Sequence, residues 1–166
     1  SLAINKYSSL PEAIAQEYSQ FSSQTAGIVD VAQRYAARKQ ASNVMDFDDL
    51  LSRWLQLLTD HPPVLDQLQR QFQFILVDEY QDTNTLQGAI IDLLAARHHN
   101  LMVVGDDSQS IYSWRGANFR NILEFPKRYP KAITYKIETN YRSTPEILVV
   151  ANAAIAANLV MYVLTR

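Results

Sequence analysis

The stretch Phe72-Gln-Phe-Ile-Leu-Val-Asp-Glu-Tyr-Gln-Asp-Thr83 decides how this chain is read. Its apolar run, Phe72 to Val77, is too short for a helix and stops at two adjacent carboxylates, Asp78 and Glu79. A continuous apolar run of this kind predicts a strand buried on both faces, as in a parallel sheet. Ligands of such sheets sit in the crevice beyond the carboxyl ends of the strands. An acidic pair at that position suits magnesium-assisted phosphoryl transfer, one carboxylate holding the hydrated ion and the other orienting and deprotonating a water. Taken alone, the pair reads more often as the solvated end of a strand.

Outward from this stretch the pattern alternates. Asp82 or Thr83 is expected to cap a helix with Leu86, Ile90, Leu93 and Leu94 inward. Arg97, His98 and His99 fall near its negative end, where they suit the helix dipole better than a metal, since sequence neighbours do not share a helix face. Leu101–Val104 is a second buried strand ending at Gly105-Asp106-Asp107. A helix from about Ala117 to Phe125, closed by Pro126, leads to a third strand, Ala132–Glu138. Pro145 then opens a helix reaching about Asn158. Strand and helix in alternation with short connections predict a parallel α/β sheet with right-handed crossovers.

Upstream the chain is helical. Residues 1–9 read as irregular, and Leu10–Phe21 and Gln24–Gln40 carry apolar residues at helical spacing. Ile28, Val31, Ala32, Tyr35 and Ala36 line one face of the second of these. Asp46 suits the N-cap of a helix running to about Thr59, and Asp48 and Asp49 suit its positive end. Capping explains these acids more cheaply than a metal site. His61-Pro-Pro breaks the chain before a short helix from about Pro63 to Arg70.

Composition narrows the class. A chain of 166 residues buries about 70% of its unfolded surface. With 48% hydrophobic residues it can fill a core. The absence of cysteine excludes disulfides and thiolate metal sites and fits a reducing compartment. No apolar run is long enough to span a bilayer and none resembles a signal peptide, so a cytoplasmic protein with no membrane partner is the expectation. The net charge of -2 argues against a simple nucleic-acid-binding domain. Its distribution does not, because the acids Asp78, Glu79, Asp82 and Asp92 precede a basic stretch holding Arg115, Arg120, Lys127, Arg128, Lys131, Lys136 and Arg142. A metal site beside a polyanion surface is compatible with this order, although such runs are usually solvated faces.

Polar segments thus follow the predicted strands at one edge: Asp78-Glu-Tyr-Gln-Asp82, Gly105-Asp-Asp-Ser-Gln-Ser-Ile-Tyr-Ser-Trp-Arg-Gly116 and Asn140-Tyr-Arg-Ser-Thr144. These segments resemble helicase motifs II, III and IV of the superfamily 1 UvrD/Rep/PcrA-like DNA helicases. Met45-Asp-Phe-Asp-Asp-Leu-Leu51 is similar to the segment upstream of motif II. The likeness covers about residues 28–158.

That resemblance implies a partial RecA-like P-loop NTPase motor domain in the α/β class, preceded by a helical subdomain. Residues 1–70 would belong to the helical subdomain, 71–130 to the second half of the first motor domain and 131–166 to the start of the second. It implies ATP and Mg2+ as cofactors, single-stranded DNA and duplex junctions as partners, and 3′ to 5′ movement in repair or replication. Asp78 would hold magnesium and Glu79 would activate water. Gln109 would sense the γ-phosphate, Tyr141 would stack on adenine and Arg142 would reach the γ-phosphate. Tyr112, Trp114 and Arg115 would serve the DNA side, with Trp114 as the stacking platform.

Each residue has a plainer reading. Tyr112 and Trp114 also suit core aromatics, Arg142 a structural ion pair with Glu138 or Glu146, and Gln109 a helix cap.

Departures from the family limit what this chain does alone. The glycines are Gly27, Gly88, Gly105 and Gly116, none followed by Lys, so the signature G-x-x-x-x-G-K-[ST] does not occur. The expectation is a chain that begins after the P-loop, needs those missing motor parts as partners, and is inactive by itself. Tyr162-Val-Leu-Thr-Arg166 is similar to the end of motif VI, one residue short, with coincidence the preferred reading. Two other classes stay open, a non-catalytic DNA- or protein-binding module derived from such a helicase and a phosphoacceptor receiver domain. The receiver fold needs a lysine at a strand end, and none is found here.

Overall fold

The computed structural model describes residues 2–5, 8–109 and 120–164, and the chain divides into two compact units, Ser1–Phe125 and Pro126–Arg166. The first unit is mostly helical. Its elements are α1 (Leu2–Asn5), α2 (Leu10–Glu17), α3 (Thr25–Ala41), α4 (Phe47–Asp60), α5 (Pro62–Gln71), β1 (Ile75–Val77), α6 (Thr85–Ala95) and β2 (Leu101–Val103).

Local chemistry sets most of the helix starts. Ser9 and Glu12 form a reciprocal capping box at α2, which ends at Tyr18, so the helix expected over Leu10–Phe21 is split by a 3-10 turn at Ser19–Gln24. Asp46 and Asp49 form the same box at α4, as expected for the Asp46 cap. The prolines Pro62 and Pro63 open α5 at positions where no intrahelical donor is lost. Asn84 and Gln87 cap α6. The expected cap at Asp82 or Thr83 is thus corrected by one or two residues, because Tyr80–Asp82 first complete a 3-10 turn.

Leu55 and Leu58 of α4 and Leu86 and Ile90 of α6 form the buried core, with Leu65 and Leu68 of α5 and Ile4 of α1 packed against it. The basic end of α6 is tied to α5 rather than serving only the helix dipole. Arg97 pairs with Asp66, and the His98 ring contacts the Gln69 carbonyl at 3.0 Å.

A latch joins α3 to α4. Lys39 Nζ lies 2.7 Å from Asp46 and 2.6 Å from Asp49, and the Tyr35 hydroxyl donates to Asp46. The Lys39 ammonium, with help from the Asp49 backbone N–H, holds the Asp46 carboxyl down at about 2, from an ordinary 3.8. A depressed acid contributes stability that is present above its unfolded value and lost as pH falls through its folded one. Thermal melts are therefore expected to lose stability between pH 4 and pH 2, with a shallower loss in Asp46→Asn. At neutral pH, Asp46→Ala is expected to cost about 0.5–2 kcal/mol in denaturant unfolding through the lost cap.

β1 and β2 pair in parallel, with Ile75 opposite Leu101 and Val77 opposite Val103. The expectation of strands buried on both faces is corrected. Ile75 and Val77 are half-buried on the side against which α6 packs, whereas Leu76 is 73% exposed and Met102 57%. Helices of this unit cover one face of a two-stranded ladder, and the run Phe72–Phe74 lies outside it. The apolar stripe expected on α3 is likewise open, with Val31 and Tyr35 exposed and no residue of α3 buried.

The third strand expected at Ala132–Glu138 is also corrected. Those residues alternate in the strand manner but adopt no strand, and Ile133, Tyr135 and Ile137 are exposed. A strand needs a ladder partner for its N–H and C=O groups, and the described residues supply none here. Helix α7 (Arg120–Arg128) runs past Pro126 instead of closing before it, and its expected start at Ala117 lies outside the described residues. Helix α8 (Pro145–Leu164) outlasts its expected end at Asn158, carrying most of the tail Tyr162–Arg166 into helix, with Thr165 and Arg166 outside the described residues. No helix among the described residues is long and apolar enough to cross a membrane.

Candidate active site

The carboxyl ends of β1 and β2 lie side by side, so the segments leaving the two strands share one edge. The ladder continues beyond the strands, Val104 N–H donating to the Val77 carbonyl at 2.8 Å and Tyr80 N–H to the Val104 carbonyl at 2.9 Å. This brings the turn at residues 78–83 against the segment at residues 104–109.

Within the first turn, side chains sort by polarity. Asp78 and Glu79 are exposed, while Tyr80 and Gln81 are buried. The Tyr80 ring meets Phe125 edge-on at 5.6 Å, and Asn121 of α7 donates to the Thr83 carbonyl at 3.0 Å. Two plugs therefore hold the turn from beneath and leave its acids at the rim. Asp78 Oδ1 accepts the Glu79 N–H at 2.9 Å. Glu79 itself sits in the left-handed region, φ 51° and ψ 43°. A non-glycine residue there carries strain of about 1–3 kcal/mol, which persists only where surrounding structure imposes it. Asp82 keeps one buried carboxylate oxygen with no hydrogen-bond partner among the described residues.

A chain of hydrogen bonds crosses the edge. Glu79 Oε2 accepts from Gln81 Nε2 at 2.6 Å, and Gln81 Oε1 accepts from the Asp106 backbone N–H at 3.1 Å. The Asp106 carboxylate accepts from Ser108 N–H at 3.0 Å and from Gln109 Nε2 at 2.9 Å. Glu79 and Gln109, expected at one site, are joined through two residues in series, Gln81 and Asp106. Gly105 makes the crossing possible, since a Cβ there would stand 2.5 Å from Gln81 Oε1 and 2.9 Å from Ile122 Cδ1. The described residues offer Asp78, Glu79 and Asp106 no ion pair.

The donor set bears on magnesium. No group of three His, Cys, Asp or Glu among the described residues could hold a metal. An exposed Asp78 suits a hydrated ion that takes one or two carboxylates and completes its shell with water and phosphate oxygens, not an ion caged by protein alone.

The second unit carries Tyr141 and Arg142. Asn140 Oδ1 accepts from the backbone N–H of Arg142 at 2.8 Å and of Ser143 at 2.9 Å, an Asx turn that presents both side chains outward. Tyr141 is 94% exposed. Tyr112, Trp114 and Arg115 lie outside the described residues. Gln81 escaped the sequence reading. Its only signal was a glutamine two positions after Glu79, and its burial and its partner across the edge come from packing.

The profile of the UvrD/REP helicase N-terminal domain matches residues 2–130. An ATP-dependent DNA helicase PcrA of Leuconostoc citreum is 51% identical over 131 residues, 79% of this chain and 18% of that protein. PcrA of Staphylococcus aureus (strain Mu50) is 51% identical over 126 residues, 76% and 17% respectively. PcrA of Staphylococcus epidermidis is 45% identical over 148 residues, 89% and 20%. The chain thus spans a fifth or less of the length of these curated relatives.

Proposed function

Because the chain belongs to the UvrD/REP helicase N-terminal domain family, we propose that it forms part of an ATP-dependent 3′ to 5′ DNA helicase acting on single-stranded DNA and duplex junctions in the cytoplasm. Residues 1–70 serve as part of the helical subdomain, 71–130 as the second half of a RecA-like motor domain and 131–166 as the start of another. What supports this reading most directly is the hydrogen-bonded series from Glu79 through Gln81 and Asp106 to Gln109 at the strand ends. It joins a carboxylate suited to act as base to an amide suited to contact a phosphate.

In the reaction we assign, Glu79 takes a proton from water as the water oxygen bonds to the γ-phosphorus. The bond from that phosphorus to the β–γ bridging oxygen breaks, and ADP leaves. Asp78 would hold a hydrated magnesium ion, which when bound would supply charge neutralisation for the phosphates. Gln109 contacts the γ-phosphate, Tyr141 stacks on the adenine, and Arg142 meets charge on the transferred group. Tyr112, Trp114 and Arg115, in the segment that continues from Gln109, form the DNA side.

Residues 1–166 alone are expected to release no phosphate from ATP. A positioned base supplies only about 10²–10⁴ in rate, and without a phosphate-cradling loop little holds the nucleotide beside it. The check is phosphate release by the purified chain with and without single-stranded DNA. DNA-stimulated release that Glu79→Gln abolishes would contradict this expectation. In a full-length protein containing this segment, absence of DNA-stimulated hydrolysis would sink the helicase reading itself.

A further inference from the structure

We propose that Gln81 is a positioning residue that holds the Glu79 carboxylate in its working orientation and takes its own bearing from the neighbouring strand end. The inference rests on the assignment of Glu79 as the base.

The geometry is specific to an amide of this length. Gln81 is 1% exposed, and each end of its side chain is used, Nε2 donating to Glu79 Oε2 at 2.6 Å and Oε1 accepting from Asp106 N–H at 3.1 Å. A carboxylate needs a donor and a backbone N–H needs an acceptor, so the amide cannot be flipped without losing both bonds. An ionised glutamate offers no donor, methionine offers neither group, and asparagine is one methylene shorter.

Two further observations make the contact more than a filled space. Glu79 occupies the left-handed region, where its backbone is held against its own preference. The residue beyond β2 that faces Gln81 is Gly105, and any side chain there would drive into Gln81 Oε1 at 2.5 Å. The Asp106 carboxylate accepts from Gln109. A shift at Gln109 that moves Asp106 is therefore passed through Gln81 to the carboxylate that takes the proton. A buried glutamine serving only as a plug would not need its donor aimed at an exposed acid.

The test uses a full-length helicase containing this segment, with kcat and KM for ATP measured at saturating single-stranded DNA. Gln81→Met keeps the volume and removes both hydrogen bonds. Its expected result is a kcat loss of about tenfold or more with KM within about twofold, since misplacing a catalytic group by about 1 Å can cost 10²-fold in rate without touching ground-state binding. A kcat within about threefold of the unsubstituted enzyme, or a kcat loss matched by an equal rise in KM, overturns the proposal. Should Gln81→Met fail to fold, Gln81→Leu is read by the same criteria, since it also removes both hydrogen bonds at similar size and adds no charge beside Glu79.

Glu79→Gln, assayed alongside, separates the two failures. If it leaves turnover intact, the assignment of the base falls and the role of Gln81 falls with it. If it abolishes turnover while the Gln81 variants keep theirs, only the positioning role is lost.

Discussion

Glu79→Gln in a full-length protein containing this segment is expected to lower kcat by about 10²–10⁴ while leaving the nucleotide KM within about threefold. The substitution keeps the length and planarity of the side chain and removes the group that accepts the proton. Because Glu79 is exposed at the rim of the turn, the change adds no cavity and strips no core contact. Its left-handed backbone is imposed from both sides, by Asp78 accepting the Glu79 N–H and by the buried pair Tyr80 and Gln81 next in the chain. The fold should therefore survive, and a melting temperature near that of the unsubstituted protein separates chemistry from stability. Nucleotide affinity measured with a non-hydrolysable analogue should be retained. Turnover within tenfold of normal would mean that Glu79 is not the base.

Arg142→Ala carries a still larger expectation, a loss of about 10³–10⁵ in kcat, if its guanidinium meets the γ-phosphate as proposed. The local structure favours a side chain kept for use. Asn140 accepts the backbone N–H groups of Arg142 and Ser143, fixing the turn without engaging the guanidinium. Pro145 starts α8 just beyond, so the turn is anchored on its C-terminal side. Arg142→Lys should restore little, because an ammonium cannot match the planar two-point contact of a guanidinium with phosphate oxygens. Single-turnover hydrolysis with DNA bound is the measurement. A variant that hydrolyses ATP at near-normal rates would reassign Arg142 to a structural role.

The two sites differ in how far residues alone could lead to them. Asp78 and Glu79 were legible as acids at the end of an apolar run, where the strand leaves the layer, but alone such a pair reads more often as a solvated strand end, and their roles came from resemblance. Gln109 and Arg142 drew attention through resemblance, since a glutamine or arginine in a loop carries little local signal. Gln81 carried none. Its two partners are Glu79, two positions before it, and Asp106, which is 25 positions away.

The same division runs through the fold. The capping boxes at Ser9, Asp46 and Asn84 each close within three residues, so they depend on chemistry between near neighbours. The core stripe Leu86 and Ile90 comes from helical spacing in the same way. Sheet membership does not. Ile75–Val77 and Ala132–Glu138 both read as strands, yet only the first has a partner to take its backbone hydrogen bonds.

By itself, then, the order of residues determined most of the helix starts, the runs able to form strands and the acids that follow them, because each rests on interactions a few residues long. Only the tertiary structure decided which faces stayed open, how Glu79 is held in a left-handed turn and that Gln81 links it to Asp106. Those features depend on hydrogen bonds and close approaches between segments distant in the chain, and Gly105 beneath Gln81 has meaning only once the two strand ends lie side by side.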